Sequence, residues 1–290
     1  MHEEHRVGIH YLEEVTALLQ RVRAAHPTAG VYEAADFQWW WRIRRSTDVL
    51  PQLFWFDEAG RSEAAVIATD WGNSVSLYPI VLPDAVADWI AHVVERGLAH
   101  AGELGLDEVD VVIDRTDQVM AGALAAQGYT TMDDELVDSW IDATRRPAIS
   151  PLHADYRMAS RLDTLSALHH LVGRNGPGVE DRLNQTSLYR ADLDLAVLDG
   201  DDRVAAYGLF WFDPETSTGL VEPMRTEDEH QRRGLARHVL TTGLNLLLDA
   251  GADRIKIAWD RNNLAAHNLY TDVGFETVRH CAVVSRPTED

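Results

Sequence analysis

The sequence predicts an α/β protein made of two copies of one fold, and three observations carry that prediction. Matching residues recur at a constant separation of 146: Asp114 and Arg115 fall on Asp260 and Arg261, Gly128 and Tyr129 on Gly274 and Phe275, and Gly105 on Gly251. That separation is about half of the 290-residue chain, as a duplicated domain requires. Within each half, helical periodicity alternates with short apolar runs, which is the pattern of helices packed on a sheet.

The elements follow in chain order. The first half opens with an amphipathic helix over Leu12–Ala25, and Leu53–Phe56 and Ala65–Thr69 read as strands bounded by turn residues. A long helix then leads through an acidic turn to an apolar strand, Val109–Ile113, and a second helix ends at Gly128–Tyr129. The second half repeats this order. A helix is expected over Thr164–Val172, and strands over Leu193–Leu198, Val204–Phe212 and the stretch "STGLVEPMRT". Leu235, Val239, Leu240, Leu244, Leu247 and Leu248 recur at three and four, so a helix starts near Gly234. The strand Ile255–Trp259 and a helix ending at Gly274–Phe275 follow. "RRPAISPLH" holds two prolines and little periodicity, and reads as a linker. The expected division is a first domain over 1–145, a linker over 146–153 and a second domain over 154–290.

Composition narrows the function. With 46% hydrophobic and 25% charged residues, the chain can build full cores. The formal charge of -21 opposes a phosphate backbone, so nucleic acid is not an expected partner. One cysteine, Cys281, excludes an internal disulfide and a cysteine metal cluster. The opening "MHEEHRVGIH" lacks the regions of a signal peptide, and no apolar run approaches the ~20 residues that cross a bilayer. A cytoplasmic protein without a membrane partner is the expectation. His2, His5 and His10, and the pair His169–His170, are not expected to bind a metal; the pair should face different sides of a helix. "WWW", Trp39–Trp41, reads as packing, because consecutive helical residues point in different directions.

Against this acidic background, "TEDEHQRRGLARHVL" places Arg232, Arg233 and Arg237 around Gly234 at a helix start. The first turn of a helix has unpaired N–H groups and a partial positive charge. Glycine permits close approach of an anion to those groups, and arginines add charge-assisted hydrogen bonds. The stretch therefore reads as a pyrophosphate cradle.

"QRRGLA", Gln231–Ala236, matches the (Gln/Arg)-x-x-Gly-x-(Gly/Ala) motif of the GNAT superfamily of acyl-CoA-dependent N-acetyltransferases. "NNLAAHNLYTDVGFE" resembles that superfamily's second motif, an Asn-x-x-Ala helix leading through Tyr to Gly-Phe. The resemblance implies two tandem GNAT-like domains, each a mixed, mostly antiparallel sheet flanked by helices. It implies acetyl-CoA as acyl donor, held by Met224, Arg225 and Thr226 on a splayed strand, by Gln231, Arg232, Arg233, Gly234, Leu235, Ala236 and Arg237 at the pyrophosphate, and by Asn262 or Asn263. Either asparagine serves equally as a helix cap. Tyr270 would be the acid at the departing sulfur. Glu222, four residues before Thr226, is the candidate base if strand alternation carries it to the cleft. Glu180 and Asp181, in an irregular glycine-rich loop, are placed to meet a cationic acceptor.

At the 146-residue offset the first copy has Ala85, Asp88 and Ile90 for Gln231, Gly234 and Ala236, and Leu124 for Tyr270. A carboxylate where phosphate must enter implies a degenerate copy without a cofactor site. The expected activity is acetyl transfer to a primary amine of a small molecule, by a monomer or homodimer. Alternatives are mycothiol-synthase-like acetylation of a cysteinyl conjugate, to which the tandem layout is similar, and a non-catalytic acyl-CoA-binding regulatory module.

Overall fold

The computed structural model describes residues 1–287. The chain forms two compact units, and their bounds differ from the expected division at 145. Met1–Phe37, Arg44–Val137 and the residues from Arg279 onward form the first unit; Gln38–Ile43 and Asp138–Val278 form the second.

The first unit contains β1 (His2–Arg6), α1 (Ile9–Ala25), most of α2 (Ala34–Trp40), β2 (Gln52–Phe56), β3 (Ser62–Asp70), β4 (Val75–Val81), α3 (Ala87–Glu103), β5 (Val109–Asp114), α4 (Gln118–Ala126) and the beginning of β6 (Thr130–Asp142). The second contains the rest of β6, β7 (Arg157–Ser160), the short helices α5 (Val172–Asn175) and α6 (Val179–Leu183), β8 (Asp194–Leu198), β9 (Val204–Asp213), β10 (Thr218–Thr226), α7 (Leu235–Ala250), β11 (Arg254–Asp260), α8 (Leu264–Val273) and the first residues of β12 (Glu276–Ser285). From Arg279 onward, β12 belongs to the first unit, where it pairs antiparallel with β5.

Each unit follows the same plan. β1 through β4 form an antiparallel meander, and β4 then pairs parallel with β5. β7 through β10 repeat the meander, and β10 pairs parallel with β11. A parallel pair needs a long crossover, and α3 and α7 supply it. The sheets are mixed and mostly antiparallel, as expected. In both units the parallel ladder is cut short. β4 and β5 pair only at Val75↔Val109 and Ser76↔Asp110, and β10 and β11 pair only from Thr218↔Arg254 to Val221↔Ile257.

The core of the second unit forms where α7 lies on the sheet. Val239, Leu240, Leu244 and Leu247 are fully buried, and Leu235 is nearly so. Gly243 is needed on that face, because a Cβ there would run into the Phe210 ring of β9. A buried ion pair, Lys256 Nζ to Asp138 Oδ2 at 3.3 Å, lies in the same unit.

Two expectations are corrected. Thr164–Val172 is not a helix: a 3-10 turn over Arg161–Thr164 gives way to turns, with Leu165 and Leu168 exposed. Those leucines find no core, while His169 is drawn inward to Asp194, and an amphipathic helix cannot satisfy both. The segment 146–153, expected as a linker, has no helix or strand and belongs to the second unit. Arg146 Nε donates to Asn245 Oδ1 at 2.6 Å, Asn245 Nδ2 donates to Pro147 O at 3.0 Å, and Ser150 N donates to Thr241 Oγ1 at 3.0 Å, so it is fastened along α7. Finally, Gln38–Ile43 leaves the first half of the chain to join the second unit. Arg182 stacks on Trp41 with its guanidinium 3.4 Å from the ring centroid, and Gln38 bonds to Ser187 and to the backbone of Leu188. Trp39 and Trp41 are buried, in keeping with the packing role expected of them.

Candidate functional site

The second unit carries a cleft of about 490 Å³ where β10 and β11 separate. Past Val221, β10 runs on to Thr226 bonded only to β9, through Met224↔Gly208, Arg225↔Tyr207 and Thr226↔Ala206. Among the described residues its other edge therefore lacks a ladder partner past Val221, and Met224–Thr226 line the cleft. A strand edge of this kind is a template for an extended ligand. Met224, Arg225 and Thr226 line this cleft together with Gln231, Arg232, Gly234, Leu235, Ala236, Arg237, Asn263 and Tyr270. Of the residues expected at the cofactor, Arg233 and Asn262 are not in the lining.

The helix start has the expected form. Gly234 is the N-cap of α7 in the left-handed region, φ 77°, and Arg232 before it has φ 60°. These two residues turn the chain so that the first N–H groups of α7 point outward. A Cβ built on Gly234 meets nothing within 4 Å, so the glycine leaves room above the helix end. Thr226 Oγ1 is buried without a hydrogen-bond partner, an unmet polar atom of the kind that a ligand amide satisfies.

The arginines divide by partner. Arg232 has no ion pair among the described residues. Arg237 pairs with Asp272 at 2.9 Å on the surface, an exposed bridge of little strength that a phosphate can displace. Arg233 turns away: its Nη1 donates to Tyr156 Oη at 2.7 Å and its Nη2 to Glu229 O at 3.2 Å. Arg225 Nε meets Glu227 at 3.3 Å, and Arg174 Nη2 meets the same carboxylate at 2.8 Å. Burial pushes the Glu227 carboxyl up, but Arg174 and Arg225 outweigh it and hold it below its ordinary range. Tyr156 lies 77 positions from Arg233, and no local signal marks the pair.

Tyr270 is both packed and placed at the cleft. Its ring packs edge-on against Trp259 at 5.4 Å, while the residue also lines the cleft. Burial, and secondarily the charge of Glu222, raises its pKa well above the ordinary phenol value. Tyr270 is thus a neutral hydrogen-bond donor, with a phenolate strongly disfavoured. Asn263 caps α8, its Oδ1 accepting from Ala266 N at 3.1 Å, and lines the cleft as well.

Glu222 does not follow simple alternation. The β9–β10 register breaks between Val221 and Met224. An inference carried from Thr226 back four residues does not survive that irregularity. The Glu222 carbonyl accepts from Trp211 Nε1 at 2.8 Å, and its carboxylate acts electrostatically on Tyr270 without being part of the lining. Glu180 is not available for an acceptor: Arg161, itself buried, holds it through bonds of 2.8 and 3.1 Å.

His169 and His170 do not face opposite sides of a helix. Their rings stack at 4.7 Å, and both reach the buried Asp194, at 2.9 and 3.0 Å. These three could hold a metal by distance alone. The tautomer argues against it. Leu171 N donates to His169 Nδ1 at 3.1 Å, so the neutral ring carries its proton on Nε2 and gives it to Asp194. That nitrogen then has no lone pair for an ion. Burial pushes the Asp194 carboxyl up, yet the two imidazoles hold it well below its ordinary range. Tyr189 Oη also donates to Asp194 Oδ2, at 2.9 Å.

Comparison with known proteins agrees with this geometry. Residues 165–275 match the Acetyltransferase (GNAT) family. A 71-residue stretch is 38% identical to the mycothiol acetyltransferase of Tsukamurella paurometabola and covers 24% of each chain. The shared stretch is thus about a quarter of that relative's length. Two solved structures are similar over the whole chain. The GCN5-related N-acetyltransferase from Sphaerobacter thermophilus gives a TM-score of 0.63 at 15% identity, over 100% of this chain and 97% of that one. A tandem GNAT protein from the clavulanic acid biosynthesis pathway gives 0.67 at 12% identity, over 100% and 99%. At such identities these structures establish the fold. No helix among the described residues is long and apolar enough to cross a membrane.

Proposed function

We propose that the chain is an acetyltransferase of the GNAT superfamily, whose family pattern residues 165–275 match, and that its second unit moves an acetyl group from acetyl-CoA directly to a primary amine of a small molecule. The observation that carries this reading is the early end of the β10–β11 ladder at Val221↔Ile257, with the cleft and the unmet Thr226 hydroxyl beyond it. Acetyl-CoA supplies an activated thioester and a thiol leaving group.

The chain's residues have these roles. The exposed edge of Met224–Thr226 pairs with the pantetheine amides, and backbone N–H near Met224 or Arg225 donates to the acyl oxygen as negative charge builds there. The N–H groups of the first turn of α7, with Arg232 and a released Arg237, hold the diphosphate; Gln231, Leu235 and Ala236 complete the turn. Arg233 stays on Tyr156 and fixes the loop. Tyr270 donates its hydroxyl hydrogen bond to the departing sulfur. Because its phenolate is so disfavoured, its service is hydrogen bonding more than full proton release. Glu222 bears on the site from outside the lining, through its charge at Tyr270, and the proton of the attacking amine leaves to solvent in the open cleft. The first unit, with the Asp88 carboxylate in the first turn of α3, carries no acyl-CoA site.

The tandem layout and the local likeness to a mycothiol acetyltransferase favour a second acceptor, a cysteinyl conjugate carrying a primary amine. Calorimetric titration with acetyl-CoA, followed by thiol release with a panel of small amines and a cysteinyl glycoside, tests both. One site per chain and amine-dependent thiol release are the expected results. Absence of binding at about 1 mM, a Kd that corresponds to only about 4 kcal/mol, would remove the reading. Binding without thiol release on any amine would turn it into that of an acyl-CoA-binding module.

A further inference from the structure

The first unit holds a cavity of about 230 Å³ in the place where its own parallel ladder ends. β4 runs on to Val81 and β5 to Asp114 after their last pair at Ser76↔Asp110, and Pro79–Pro83 and Val112–Asp114 form opposite walls. Leu19, Val22, Ile90 and Met120 close it with apolar surface. The backbone groups of β4 that turn toward β5 beyond Ser76 have no partner in that strand.

Three charges line this space. Arg279, 8% exposed, is committed: its Nε donates to Asp114 Oδ2 at 2.7 Å, and its Nη1 and Nη2 donate to Gly30 O at 2.8 Å and Thr28 O at 2.7 Å. Arg279 and Asp114 therefore cancel. Asp117 remains. Its Oδ1 caps α4 through Val119 N and Met120 N, and the helix end offsets about half a charge, so the lining stays net negative. Asp88 stands exposed in the first turn of α3, where a diphosphate would need N–H groups and cations. The volume falls below the ~300 Å³ at which sites for drug-sized ligands begin.

We infer that this cavity is a binding site for a small apolar amine, its hydrocarbon body between the separated strands β4 and β5 and its ammonium at Asp117. The site excludes acyl-CoA and small carboxylates by charge. This inference is independent of the activity proposed for the second unit.

The chain has five methionines, of which Met120 lines this cavity and Met224 lines the cleft of the second unit. Methyl-13C-methionine NMR of the full chain thus reads each site separately. With 2-phenylethylamine as probe, the Met120 signal shifts and saturates. 3-Phenylpropionate leaves it in place, and acetyl-CoA moves Met224 alone. Asp117→Asn keeps the cap, since asparagine caps as well as aspartate. It weakens the Met120 response to the amine about tenfold, the loss of one charge-assisted contact. A Met120 signal unmoved at about 10 mM amine, far weaker than any specific site, overturns the inference. So does equal binding of the carboxylate, an unchanged affinity in Asp117→Asn, or a shift of Met120 by acetyl-CoA. Failure of acetyl-CoA to move Met224 would instead count against the activity of the second unit.

Discussion

Replacing Gly234 separates the conformational and electrostatic demands of the proposed phosphate site. Gly234 sits at φ 77°, and a Cβ there meets nothing within 4 Å. Gly234→Ala therefore costs only the left-handed backbone penalty, about 1 kcal/mol. For a unit of this size the melting midpoint falls by about 2–4 °C. Its added methyl stands where the diphosphate approaches, so some affinity for acetyl-CoA is lost as well. Gly234→Asp adds a carboxylate to the same strain. A unit charge about 5 Å from a phosphate charge opposes it by about 3 kcal/mol at an effective dielectric of 20, and by under about 1 kcal/mol in bulk water. Gly234 is exposed, so the true cost lies between these limits. At about 1.4 kcal/mol per decade, Gly234→Asp binds acetyl-CoA about tenfold to a hundredfold more weakly than Gly234→Ala. Calorimetry on both variants at low and high salt reads the difference, which shrinks as screening grows. If the two variants bind alike, or differ by an amount that salt does not change, the anion cradle is refuted.

Three further outcomes follow from the same geometry. Tyr270→Phe removes the hydroxyl while leaving the ring against Trp259, so kcat for amine-dependent thiol release falls about tenfold to a hundredfold with little change in KM for acetyl-CoA; an unchanged kcat would leave Tyr270 a packing residue. Gly243→Ala drives a Cβ into the Phe210 ring and destabilises the second unit by about 1–3 kcal/mol, although alanine favours helix, and urea melts show it. A stabilised variant would mean that α7 does not approach β9 so closely. Burial raises Tyr270 well above the ordinary phenol value and Tyr78 to about 12. Both are neutral in the folded chain at a pH where unfolded tyrosine ionises, so their contribution to stability is complete below pH ~10 and is lost as pH rises toward 12. Spectrophotometric titration will find these phenols silent until the chain unfolds, and early, reversible ionisation of all eight tyrosines would contradict the burial.

Local pattern and duplication were enough to read much of this protein. The 146-residue repeat announced two related units, and the leucine spacing after Gly234 announced α7, because a buried helix face must recur every three to four residues. The glycine at the helix start and the Asn cap of α8 are likewise short-range devices, written within a few residues of where they act. Only the tertiary structure decided where long-range partners go. Gln38–Ile43 and the chain from Arg279 each leave one half to complete the other unit, since burial and strand pairing reward proximity in space without regard to order in sequence. Arg233 finds Tyr156, Glu180 finds Arg161, and the two histidines find Asp194 for the same reason. The register shift in β10 between Val221 and Met224 is likewise set by its pairing with β9 and breaks any alternation counted from Thr226 to Glu222. Periodicity belongs to the chain; pairing belongs to the fold, and in this protein it is pairing that assigns each charged side chain to the cleft or to the frame around it.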